Sequence, residues 1–181
     1  MLATMISPFI PLSARRSPWR RFATLLAAAA VAGCAASYGP GPVGPGATEA
    51  DVVARMGTPT GRHAMPDGAT RLEYARGPFG RETYMVDLDA AGRVVRIEQV
   101  LGETQFRERM AVGMTRDEVR RTFGSPAEAQ RVGFVGREVW SWRYPTNDCL
   151  WFRATFGPDG RLIDAGGYLP DPMCDPPSDR R

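Results

Sequence analysis

The stretch TRDEVRRTFGSP, Thr115 to Pro126, occurs once before in related form, as TEADVVARMGTP, Thr48 to Pro59. Each copy reads as a short helix with both ends marked. Thr115 is a good N-cap, and Glu118 three residues later completes a capping box. Val119 and Phe123 stand at i and i+4, on one face. Gly124 suits the conformation that ends a helix, and Pro126 prevents its continuation. The first copy repeats these signals with Thr48, Asp51, Val52, Met56, Gly57 and Pro59.

The likeness continues outward. Leu72-Glu73-Tyr74 matches Trp140-Ser141-Trp142, and Val86 to Val94 matches Ala154 to Leu162. The helix offset is 67 positions (57 to 124) and the later offset is 68 (72 to 140), so one inserted loop residue separates two repeats. Strands are expected over 70–76, 82–87 and 94–99 in the first repeat, and over 137–144, 150–156 and 162–167 in the second. Asp67-Gly68, Ala91-Gly92 and Asp159-Gly160 supply the turns. A further helical stretch, 104–112, precedes the second repeat only. The predicted fold is α+β: two tandem repeats, 47–101 and 102–168, each with one or two short helices packed on a three-stranded antiparallel sheet. In the strand 150–156, Leu150, Phe152, Ala154 and Phe156 should face the helices. Trp151, Arg153 and Thr155 should face outward, with Ser141 and Arg143. The two sheets should lie side by side.

The beginning of the chain has a different character. Arg15, Arg16, Arg20 and Arg21 precede the apolar run FATLLAAAAVAG, Phe22 to Gly33. Twelve helical residues span roughly 18 Å, short of a bilayer core of roughly 30 Å, so residues 1–33 read as a cleavable export signal. Met5 is an alternative start. Val31-Ala32-Gly33-Cys34 resembles the bacterial lipobox, and the resemblance implies acylation of Cys34 after cleavage. Ala35 follows where an Asp would favour the inner membrane; the expected location is therefore the outer membrane, facing the periplasm. Residues 34–46, with the Gly- and Pro-rich AASYGPGPVGPG, read as a tether.

Charge narrows the function. Four of the 23 basic residues, all Arg, lie before Cys34, leaving 19 against 20 acidic residues in the mature chain. A near-neutral surface lacks the basic footprint of a nucleic-acid binder. His63, the only histidine, has no sequence partner for a triad or metal site and reads as a surface or loop residue. Asp87 and Asp89 read as solvated turn residues. No metal site, cofactor motif or catalytic residue is predicted, and the chain reads as non-enzymatic. Cys149 and Cys174 lack metal-ligand spacing. In an oxidising compartment they read as a disulfide pinning the Pro-rich tail 169–181, with two separate thiols as the alternative. Trp140, Trp142, Tyr144 and Trp151 read as core aromatics first and as binding surface second. Trp151, Arg153 and Arg143 form the candidate partner-binding set, since an aromatic flanked by Arg has the composition of an interaction hot spot.

The pattern GMTRDEVRRTFGSP at Gly113 to Pro126, an aromatic strand, and a strand ending in Asp159-Gly160-Arg161 resemble the SmpA/OmlA family of BamE-like outer-membrane lipoproteins. The resemblance covers roughly Thr48 to Gly167. It implies helices on a three-stranded sheet and a part in outer-membrane assembly or maintenance through protein contacts. A tandem form also resembles the β-lactamase inhibitory proteins, which implies the alternative of an inhibitor or binding module using both sheets as one concave surface.

Overall fold

The computed structural model describes residues 39–77, 80–134 and 136–174, all within one compact unit, Ser37–Arg181. The export signal and Cys34 lie outside the described residues. Helix α1 (Glu49–Met56) leads into strands β1 (Gly61–Ala64), β2 (Thr70–Arg76), β3 (Glu82–Leu88) and β4 (Val94–Gln99). Helices α2 (Glu103–Arg109) and α3 (Arg116–Phe123) then precede β5 (Glu128–Val132), β6 (Arg137–Arg143), β7 (Leu150–Phe156) and β8 (Gly167–Pro170). The strands form two antiparallel sheets of four, each in sequence order.

Both capping boxes are formed. Thr48 accepts from the Asp51 N–H and Thr115 from the Glu118 N–H, while each carboxylate returns a bond to its cap. Both helices exit through glycine at positive φ, Gly57 at 78° and Gly124 at 81°. With ψ near 180°, this region is essentially reserved for glycine.

The expectation of three-stranded sheets is overturned. The added edge strands, β1 and β5, read Gly-Arg-His-Ala and Glu-Ala-Gln-Arg-Val, and neither joins the two hydrophobic cores. Their order comes from main-chain pairing with β2 and β6, which needs no hydrophobic pattern. The last strand also moves. Leu162 makes an isolated bridge to Phe156, as Val94 pairs with Leu88 in the first repeat, but the chain then bulges before β8. The Asp164 carboxylate enters the gap and accepts from the N–H of Thr155 (3.2 Å) and of Gly166 (3.0 Å). Gly166 has φ 84°, and a Cβ there would collide with the Phe152 ring. The strand expected at 162–167 therefore forms at Gly167–Pro170, and residues assigned to the tail complete the second sheet.

Alternation divides each sheet. Leu72, Tyr74, Val86 and Leu88 pack with Val52 and Met56 of α1 in the first core. Trp140, Trp142, Phe152 and Phe156 pack with Phe106, Val119 and Phe123 in the second. Phe106 stacks on Phe152 with ring centroids 4.1 Å apart. Met85, on the opposite face of the first sheet from Val86, belongs to this second core. That face is the floor for α2 and the exit of α3, not an outward surface. The expectation of sheets lying side by side is corrected accordingly.

The tether also differs from its reading. Val43 packs against the first core, and the Gly46 N–H donates to the Val94 carbonyl at 2.7 Å. Its last residues are therefore part of the fold. No helix among the described residues is long and apolar enough to cross a membrane.

Candidate functional site

The outer face of the second sheet carries the candidate partner-binding set. Pairing sets Arg143 opposite Trp151 and Ser141 opposite Arg153. The Trp151 ring has a guanidinium on each flank, with Arg143 and Arg153 both 5.2 Å from its centroid. The three residues are thus brought together, but not as an exposed aromatic anchor. Trp151 is 5% exposed, so its expected role as an open contact loses its premise.

Arg143 is held from the far side. Its Nε donates to Asp171 Oδ2 at 2.5 Å and its Nη2 to Oδ1 at 3.0 Å. Burial pushes the Asp171 carboxyl up. The Arg143 hydrogen bonds, the Met173 N–H and the Arg143 charge outweigh it and hold the group below the usual carboxylate range. The Asp171 N–H in turn donates to the Cys149 carbonyl at 2.9 Å. Cys149 and Cys174 form a disulfide with Cα atoms 6.2 Å apart, within the span such a bridge allows. Cys149 has φ 53°, the one non-glycine at positive φ among the described residues. Bridge, ion pair and β8 together close one margin of the face. Arg153 remains at its centre, half-buried. Its Nε and the Trp151 Nε1 are buried without a hydrogen-bond acceptor. Two such donors side by side are costly unless an acceptor arrives.

A second polar constellation lies where the repeats meet. Glu73 is 1% exposed. Oε2 meets His63 Nε2 at 3.0 Å, and Oε1 accepts from the Ser125 N–H at 3.0 Å. His63 is therefore part of a buried join, not the plain surface residue its sequence suggests. Gly124 sits directly beside it; a Cβ there would lie 2.8 Å from Thr83 Cγ2. Nearby, Arg71 binds Asp87 through two bonds (2.5 and 2.9 Å) and donates to the Arg121 carbonyl at 2.7 Å. Asp87 is thus an interface residue and not a solvated one. Burial raises its carboxyl, but Arg71 and Arg96 together bring it below the usual range. Arg81 reaches across to the Thr146 carbonyl at 2.6 Å. These bonds join the repeats and leave the first sheet covered over Glu73, Thr83 and Met85.

Sequence reasoning missed Asp171 and Glu73 in these roles. Neither an acidic residue in a Pro-rich tail nor one in a strand carries a sequence signal for such a role, and only the fold places them.

The fold is a duplicated α+β module with one outward sheet face. The chain matches no protein-family model, no curated protein and no solved structure.

Proposed function

We propose that this chain is a non-enzymatic lipoprotein of the bacterial envelope, anchored through Cys34 in the outer membrane, that acts in outer-membrane assembly or maintenance through protein contacts. The observation that carries this reading is Val31-Ala32-Gly33-Cys34, placed behind a short apolar run and ahead of a Gly/Pro tether. The BamE-like pattern at Gly113 to Pro126 supports the assembly role. The partner meets the outer face of the second sheet at Arg153, where two buried donors lack an acceptor. A carboxylate or an exposed main-chain carbonyl supplies the missing chemistry.

Intact mass of protein extracted from membranes should equal residues 34–181 plus acyl groups. Cys34→Ser should release the protein or leave its signal uncleaved. A photo-crosslinker at position 155, on the same outward parity as Arg153, should capture a component of the outer-membrane assembly machinery. Capture of a periplasmic enzyme would favour an inhibitor instead. Arg153→Ala should weaken capture at an unchanged thermal midpoint. Trp151→Ala should lower the midpoint itself, because the ring is buried.

A further inference from the structure

The two repeats differ at the hairpin that opens each sheet. In the first, the β1–β2 turn is polar. Pro66, Asp67 and Gly68 are exposed, and Asp67 accepts from the Ala69 N–H at 3.1 Å. In the second, the β5–β6 turn carries Phe134, which is fully exposed, beside Val132 at 44%. Nothing in the turn requires a phenylalanine. Gly133 at φ 69° and Gly136 at φ 70° provide its unusual backbone conformations. A polar residue is the default at such a tip, and Phe134 contributes nothing to either core.

The tip is flanked by charge of one sign. Arg131 and Arg137 are both exposed, and Arg137 pairs with Val132 across the hairpin. Glu138 stands opposite Arg131 in the hairpin register and feels its charge, but its two oxygens are already engaged by other donors. It accepts from Arg116 Nε at 2.7 Å and from Trp140 Nε1 at 2.8 Å. An apolar tip between two guanidiniums matches a bilayer interface with anionic headgroups: the ring enters the acyl boundary and each Arg lies at headgroup level. The tether allows this approach. From Cys34 to Val43 the chain extends to roughly 30 Å, about twice the radius of gyration expected of a unit this size.

We infer that the β5–β6 hairpin is a second membrane contact, inserting Phe134 into an anionic bilayer surface between Arg131 and Arg137. The inference rests on the lipid-anchored reading and adds an orientation to it: the second sheet stands with its hairpin end against the membrane.

The test uses the acylated protein reconstituted into vesicles of phosphatidylcholine with phosphatidylglycerol. Phe134→Trp places an indole at the tip, while Trp140, Trp142 and Trp151 are buried and give a constant background. On reconstitution the added emission should shift to the blue. It should lose intensity when the acyl chains carry bromine. Arg131→Gln with Arg137→Gln should reduce the shift in anionic vesicles and leave it unchanged in neutral ones. Water-like emission that bromine does not quench would overturn the inference. Protection seen only in native envelopes would also overturn it, and would assign the tip to a protein. A mass lacking acyl groups would instead defeat the anchor reading. The same variant mixed with vesicles in solution then decides the hairpin's role by the same emission.

Discussion

The first repeat buries a mainly aliphatic core around Tyr74 against one helix, whereas the second buries an aromatic core against two. The two helices that define the repeats carry the same capping box, closed by Asp51 in one and Glu118 in the other, yet their exits meet different surroundings. At Gly57 a Cβ would meet nothing within 4 Å; at Gly124 it would strike the first sheet. The same local signal therefore ends one helix in open space and the other against its neighbour. Duplication conserved the local chemistry while the tertiary contacts diverged.

The strongest way to probe this contrast is the core. Phe123→Ala should cost about 3–5 kcal/mol and Met56→Ala about 2–5 kcal/mol, read by urea denaturation. Both should shift a single transition, because Met85 and Glu73 bind the repeats into one unit. Two separated transitions would show that the repeats unfold independently. Next, removing the disulfide with Cys149→Ser and Cys174→Ser closes no loop in the unfolded chain, and should cost roughly 3 kcal/mol. Hydrogen exchange should rise first in β8 and the Asp171 segment, and leave β1–β4 protected.

The glycine pair gives a finer comparison. Gly57→Ala should cost about 1–3 kcal/mol from backbone conformation alone. Gly124→Ala should cost more, since Thr83 and Glu73 must also move. Equal thermal shifts would mean that the join yields freely. Removing the caps should restore the symmetry: Thr48→Ala and Thr115→Ala should each cost about 1 kcal/mol. The smallest effect is fully present at neutral pH and vanishes in acid. Asp171 is held below the usual carboxylate range in the fold, so its contribution is present above the unfolded value of about 3.9. It is lost as pH falls through the lowered folded value. Asp171→Asn should flatten that part of the acid-unfolding curve.

What the sequence revealed depended on whether a residue's role was local. Caps need partners three residues away, so Thr48–Asp51 and Thr115–Glu118 could be read directly. Central strands β2, β3, β6 and β7 alternate against a core, and that pattern was visible too. The edge strands had no such pattern, because Gly61–Ala64 and Glu128–Val132 are held by main-chain pairing, with polar side-chain bonds such as His63–Glu73 added and no apolar face in the core. The burial of Glu73 and Thr83 was hidden for a related reason. Each stands on the parity that a one-layer reading turns toward water, and a distant segment covers it. The cysteines were legible in pairing but not in consequence: the segment they fasten contributes a strand.

The Glu73–Ser125 bond has a consequence for how the chain comes into being. Synthesis proceeds from the first repeat to the second, so residue 73 emerges 52 positions before the amide that will complete its surroundings. During that interval the first sheet has a bare side with a carboxylate at its centre. His63, on the adjacent strand, already lies in register to meet it. The nascent half therefore already carries one companion for its own acidic group, and the arriving amide finds a docking point prepared on the other oxygen. A chain severed between the repeats would retain the companion and lose the cover, leaving Met85 open to any passing apolar surface.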